Sequence, residues 1–177
     1  MNKDYLATTP SLDCNELFIV RRCSPSTISG DGVAFITCDK DGALCVMKKS
    51  SHGDRYEATT ALQNEVDMLL LAWPRKLRHR VFVANWNSTP FIFMPFLRIV
   101  STDDSDDLGI DVEVMVRKHI DKLAAEGLCH DDLHWRHVAC YVKRDRHHIV
   151  FIDWARSRTG IDTETARSIM LRALDLE

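Results

Sequence analysis

The sequence predicts an α+β fold in two lobes: a five-stranded antiparallel sheet with one helix, then a strongly reduced helical second lobe. Three observations carry this expectation. Short apolar runs separated by turn residues dominate residues 17 to 96, one segment among them switches to a helical period, and two amphipathic helices follow the acidic stretch STDDSDD. With 177 residues the chain suffices for one core, or for two small lobes sharing a cleft, but not for two full domains.

The runs LFIV (17 to 20), VAFIT (33 to 37) and ALCVM (43 to 47) alternate with turn signals, and Asp41-Gly42 between the last two marks a hairpin. Residues 55 to 73 then place Leu62, Val66, Leu69 and Leu70 at helical spacing, and Pro74 stops the helix. VFVAN (81 to 85) and PFIFMPF (90 to 96) supply two more strands. The acidic cluster from Asp103 to Asp107 reads as a solvated loop. Behind it, residues 110 to 126 put Val112, Val116, Ile120, Leu123 and Ala124 on one helical face, with Gly127 as C-terminal cap. Two strands, VACYV (138 to 142) and HIVFI (148 to 152), are joined by the charged turn KRDRH, and Asp153 stands at the exit of the second. A helix over 163 to 176, capped by Asp162 or Thr163, is expected to pack Ile169, Met170, Ala173 and Leu174 against the 110 to 126 helix.

Hydrophobic residues make up 45% and charged residues 28%, the balance of a chain that folds. A formal net charge of −3 supplies no global positive field, so nucleic acid is not expected as a partner. The six cysteines form no CxxC pair and read as reduced thiols. No apolar stretch approaches the length of a membrane span, and no apolar run follows the first lysine. A cytoplasmic protein with no membrane partner is the expectation; a chain delivered into another cell by an uncleaved signal would read the same way.

The chemistry concentrates in four charged residues, Lys48, Glu65, Asp132 and Asp153. The run His130-Asp131-Asp132-Leu133-His134-Trp135-Arg136-His137-Val138 resembles the catalytic loop of the protein-kinase-like superfamily, H-x-D-L-x-x-x-N followed by a strand, in a style most like small kinase-like proteins of fungi. Phe151-Ile152-Asp153-Trp154-Ala155 is similar to the D-F-G region of that family, and Cys45-Val46-Met47-Lys48 to its V-A-I-K strand. The resemblance implies that Asp132 accepts the proton of a substrate hydroxyl, Asp153 holds Mg2+ against the phosphates of ATP, and Lys48, oriented by Glu65, neutralises those phosphates. Residues 91 to 97 resemble the strand leading into the hinge. By the same resemblance, residues 1 to 93 are the N-lobe, 94 to 97 the hinge and 98 to 177 the C-lobe of a single domain, and Val46, Met94 and Phe96 line the adenine site, with Met94 as gatekeeper. The implied partners are ATP and a hydroxyl acceptor, first a protein serine or threonine and second a small molecule.

Several positions depart from the family pattern. Only Gly30 and Gly32 stand for the glycine-rich loop, ahead of Val33 as the residue above adenine. His137 replaces the loop asparagine and is assigned as a metal or phosphate neighbour; Trp154 and Ala155 replace phenylalanine and glycine. The tail behind Ala155 is too short for an activation segment and the usual helical bundle, so a constitutively assembled site is expected, with Ser157 and Thr159 as loop residues. Two other readings stay open. One is a nucleotide-binding pseudokinase. The other is a zinc hydrolase, since His130 and His134 have the i, i+4 spacing of a helical metal pair with Asp131 as base.

Overall fold

Alternation of side chains along extended backbone builds the first sheet. In a computed structural model that describes residues 17–22, 32–39 and 44–177, β1 (Leu17–Arg22), β2 (Gly32–Asp39), β3 (Leu44–Ser50), β4 (Phe82–Trp86) and β5 (Thr89–Pro95) form one antiparallel sheet in the order β1-β2-β3-β5-β4. The Asp41-Gly42 turn and Gly30 lie outside the described residues. The register pairs Met47 with Phe35 and Phe93, and Ala84 with Phe91. Those five residues therefore share a face, where Met47, Ala84, Phe91 and Phe93 are buried with Phe35 and Trp86 packed against them. The β4–β5 turn is Asn87-Ser88, both at positive φ, 48° and 62°. This is the two-residue turn whose twist matches a hairpin, formed here without glycine.

Between β3 and β4 lie α1 (Arg55–Ala72) and the single turn α2 (Arg75–Arg78). Asp54 caps α1, its carboxylate accepting the amides of Tyr56 and Glu57 at 2.8 and 3.0 Å. The buried stripe of the helix is Ala58, Leu62, Val66 and Leu69, and the one carboxylate within it is Glu65. Pro74, which cannot donate a backbone hydrogen bond, follows the helix end.

The described residues fall into two compact units. The first ends at Leu70 and resumes over Pro74–Phe96; the second consists of Leu71–Trp73 and Leu97–Glu177. In the second unit, β6 (Arg98–Ile99) is followed by α3 (Ser105–Leu108), α4 (Val112–Ala125), β7 (Leu128–His130), β8 (Val138–Lys143), β9 (Arg146–Phe151), β10 (Ser157–Thr159) and α5 (Thr163–Ala173). The order β6-β8-β9 forms a three-stranded antiparallel sheet, and β7 pairs with β10. The helix α4 buries Val112, Val116, Ile120, Leu123 and Ala124 as its periodicity predicts, and Gly127 follows at φ 71° in the left-handed conformation of a C-terminal cap.

The acidic stretch is not a plain loop. It forms a 3-10 turn at Thr102–Asp104 and then α3, because Asp104 accepts from the Ser101 amide at 2.8 Å and from Arg98 at 2.7 Å. The tail behind Ala155 likewise carries the strand β10, so Ser157 and Thr159 are strand residues rather than loop residues. In α5 the buried residues are Ala166, Met170 and Leu171, with Leu174 buried just beyond; Ile169 and Ala173 are only half-buried. The face is rotated from the expected one, and Arg167 ties it to α4 by an ion pair to Asp121 at 2.7 Å.

His119, on α4, packs its ring edge against Phe151 with centroids 4.9 Å apart, and its Nε2 is sealed from solvent without a partner. Burial lowers its pKa from 6.5 to about 4. The unfolded chain therefore binds a proton that the folded chain refuses, so stability falls as pH drops from 6.5 toward 4. His119→Phe is expected to flatten that loss, which amounts to up to about 3 kcal/mol, in urea melts at pH 7 and pH 4.5; an unchanged pH dependence would refute the assignment.

Candidate functional site

In the first unit the site is a charge pair set in apolar surroundings. The sheet face opposite the aromatic core carries Ala34, Ile36, Val46, Lys48, Ile92 and Met94, since Val46 pairs with Ile36 and Met94, and Lys48 with Ala34 and Ile92. Lys48 Nζ donates to both carboxylate oxygens of Glu65 at 2.9 Å. The two residues are 7% and 2% exposed, so this is a desolvated pair joining β3 to α1. Val46 and Met94 share the lysine's face. Val33 does not: it pairs with Lys49 and points to the other side. Gly32 opens β2 opposite Ser50, and Phe96, 42% exposed, bonds through its amide to Leu44 O at 3.3 Å.

In the second unit, residues 130 to 137 form a loop that is pinned at both ends. His130 ends β7 with its ring buried; its Nε2 lies 3.0 Å from the carbonyl of Ile152, which can only accept, so Nε2 carries the proton. Burial lowers the pKa of His130 and keeps it neutral. Asp131 receives a two-pronged bond from Arg158, at 2.6 and 2.7 Å, and this bond holds its carboxyl below the ordinary carboxylate range. Its amide donates to Arg156 O at 3.0 Å. Asp131 is therefore structural, spent on clamping the loop to β10. Cys129 is buried and its thiol is pushed up to about 11, chiefly by burial, so it is no nucleophile.

Asp132 is differently placed. Its carboxylate is 29% exposed and meets His134 Nε2 at 3.3 Å, while its backbone oxygen accepts from His137 Nδ1 at 2.8 Å. His137 is thus fixed in the Nδ1–H tautomer, and Arg136 Nε donates to its Nε2 at 3.1 Å. Burial lowers the pKa of His137 to about 4. Its Nε2 stands 3.7 Å from a carboxylate oxygen of Asp153.

Asp153 has φ of 62°, the left-handed region that a non-glycine residue occupies only when its surroundings hold it there. Those surroundings are visible. The Phe151 carbonyl accepts two indole N–H groups, from Trp73 at 2.6 Å and Trp154 at 2.8 Å. Ile152 donates to His137 O at 2.9 Å and accepts from His130, and Ser157 Oγ donates to Trp154 O at 2.7 Å. Trp154 is buried and tilted against the His130 ring at 5.0 Å. The segment 151 to 154 is locked in one arrangement, and Asp153 is 20% exposed at its crest.

The structure thus joins Lys48 to Glu65 in one unit, and Asp132, His137 and Asp153 in the other. Sequence reasoning gave no site role to the Arg158–Asp131 clamp, to Arg136 or to Trp73. A signal existed for the first only, an arginine three residues behind Ala155. The helical zinc reading fails: His130 is on a strand, His134 precedes a 3-10 turn at Trp135–His137, and among the described residues no three His, Cys, Asp or Glu side chains are grouped to hold a metal ion. Among the same residues no helix is long and apolar enough to cross a membrane.

The profile of a protein family of unknown function, DUF5898, matches residues 27–141, and the chain belongs to that family. The match takes in Lys48, Glu65, Asp132 and His137 but stops short of Asp153. No curated protein matches the chain.

Proposed function

We propose that the chain is an ATP-dependent phosphotransferase with a two-lobed, protein-kinase-like fold and a reduced C-lobe. The observation that carries this reading is the buried, two-pronged Lys48–Glu65 pair. A desolvated ion pair contributes little net stability, so holding an ammonium at a fixed point on an otherwise apolar face is best explained by an anion it must meet. The partly exposed Asp132 carboxylate and the strained Asp153 support the same reading.

In this mechanism the substrate hydroxyl gives its proton to Asp132 as its oxygen bonds to the γ-phosphorus; the bond to the bridging oxygen breaks and ADP leaves. Lys48 neutralises phosphate charge, and Glu65 keeps its Nζ from wandering. Catalysis is positioning and electrostatic stabilisation rather than covalent chemistry. Asp153 offers the hard carboxylate oxygen that Mg2+ takes, and the ion would neutralise charge developing on the phosphates. Met94 and Val46, on the lysine's face, form the apolar wall expected for adenine.

The first acceptor is a protein serine or threonine. A small-molecule hydroxyl is the second, favoured by the short run from Trp154 to α5, which leaves little chain for docking a peptide. Incubation with γ-labelled ATP and cell lysate separates the two by whether label ends on protein or on small molecules. Asp153→Asn tolerates the left-handed backbone and removes the charge; it is expected to cut transfer by about 10² or more. Equal labelling by wild type and this variant would overturn the reading.

A further inference from the structure

We infer that the surface running from α2 to Phe82, the first residue of β4, binds single-stranded nucleic acid: the basic side chains of α2 and its exit take phosphates, and the open face of Phe82 takes a base. No Asp or Glu stands between Asp67 and Asp103, whereas Arg75, Lys76, Arg78, His79 and Arg80 fall within six residues. The net charge of −3 is a sum over the whole chain and does not weaken a field this local. The amides of Leu77, Arg78, Arg80 and Val81 donate to carbonyls three or four residues back, so the chain keeps turning from Pro74 to Val81. At about 100° per residue the five basic side chains fan out over the arc opposite Leu77. Leu77 is buried as the anchor, and all five are exposed. Arg75, Lys76 and Arg80 have no ion-pair partner among the described residues. Lys76 and Arg80 stand four residues apart and Arg75 and Arg78 three apart, spacings at which like charges repel. A bound polyanion relieves that repulsion.

Two observations choose among polyanions. Three of the four Lys and Arg residues are arginine, whose planar fork grips a phosphate by two bonds. And Phe82, 39% exposed, lies flat on Phe93, its partner in the register, with centroids 5.5 Å apart and planes at 15°. Since β4 is an edge strand, no described strand covers the outer face of that ring. A ring held flat beside a basic surface accepts a base as the next layer of its stack. An acidic peptide offers that ring nothing planar. A membrane surface asks for a projecting apolar side chain, and Leu77 is turned inward. The inference holds whether or not the chain transfers phosphate.

The test is fluorescence anisotropy of the full chain with a labelled oligothymidylate of about 15 nucleotides, competed in turn by an abasic phosphate chain of the same length, polyglutamate and vesicles rich in phosphatidylserine. Wild type is expected to prefer the oligothymidylate to all three competitors. Its affinity should fall about fiftyfold between 50 and 200 mM salt, as for about four phosphates neutralised on a single strand. In the triple variant Arg75→Gln, Lys76→Gln, Arg80→Gln that fall should shrink to about threefold. Phe82→Thr keeps a residue that suits a strand; it should weaken binding at least about fivefold with the salt dependence unchanged, because no charge is lost. Absence of binding by wild type, a competitor that binds as tightly as the oligothymidylate, a salt dependence that survives the triple change, or a folded Phe82→Thr that binds as wild type does overturns the inference. If Phe82→Thr does not fold, the triple variant and the abasic competitor decide the matter.

Discussion

Asp132→Ala is expected to lower phosphoryl transfer by about 10² to 10⁴ while leaving the fold and ATP affinity in place. The separation of effects follows from how the residue is used. Among the described residues its carboxylate meets the exposed His134, at 3.3 Å, whereas the bond that fixes His137 comes from its backbone oxygen and survives the substitution. No buried partner is orphaned, so the melting temperature should shift little. Titration calorimetry with ATP, circular dichroism and a single-turnover transfer assay read the three quantities separately. A variant that transfers as fast as wild type removes Asp132 from the mechanism; one that unfolds shows the carboxylate to be structural.

The second large effect is on stability. Lys48→Met removes the ammonium that both oxygens of Glu65 contact, at 2.9 Å, in a site where the glutamate is 2% exposed. Breaking a buried pair from one side costs about 3 to 5 kcal/mol, and in a chain of this size each kcal/mol lowers the melting temperature by about 2 to 4 °C. The double variant Lys48→Met, Glu65→Leu fills the same space with apolar atoms and is expected to recover most of that loss. It should not recover ATP binding. If the double variant is stable and binds ATP as wild type does, the pair is a relic of packing and the phosphate clamp lies elsewhere.

Much of this architecture is legible in the sequence because it rests on period. Leu62, Val66 and Leu69 on α1, and Val112, Val116, Ile120 and Leu123 on α4, announce their helices by spacing alone, and the alternation in 33 to 37 and 43 to 47 announces β2 and β3. The elements missed are those too short to show a period. The two residues of β6, and three each of β7 and β10, exist because partners far along the chain complete their hydrogen bonds. The turn at Arg144-Asp145, with φ of 51° and 57°, was readable only as charged, since neither residue is glycine. For the site, the four charged residues stand out by order and context. What surrounds them does not, because a clamp such as Arg158 on Asp131 depends on three-dimensional return of the chain. Val33 shows the converse failure: its place just behind Gly30 and Gly32 suits the residue above adenine, but strand register turns it to the face opposite Lys48.

The paired indoles on the Phe151 carbonyl bear on how the chain can be cut. Trp73 is fully buried and belongs with the second unit, yet it precedes β4 and β5, which belong with the first. A fragment beginning at Leu97 would keep both loop aspartates, Asp153 and His137, and would lose the side chain that fills the space beside Phe151 and half of that carbonyl's bonding. The backbone therefore passes between the units more than once, and no single cleavage point yields an intact second half. Dissection by truncation will report on a damaged interior, so the roles of the two units are better separated by point substitution in the whole chain.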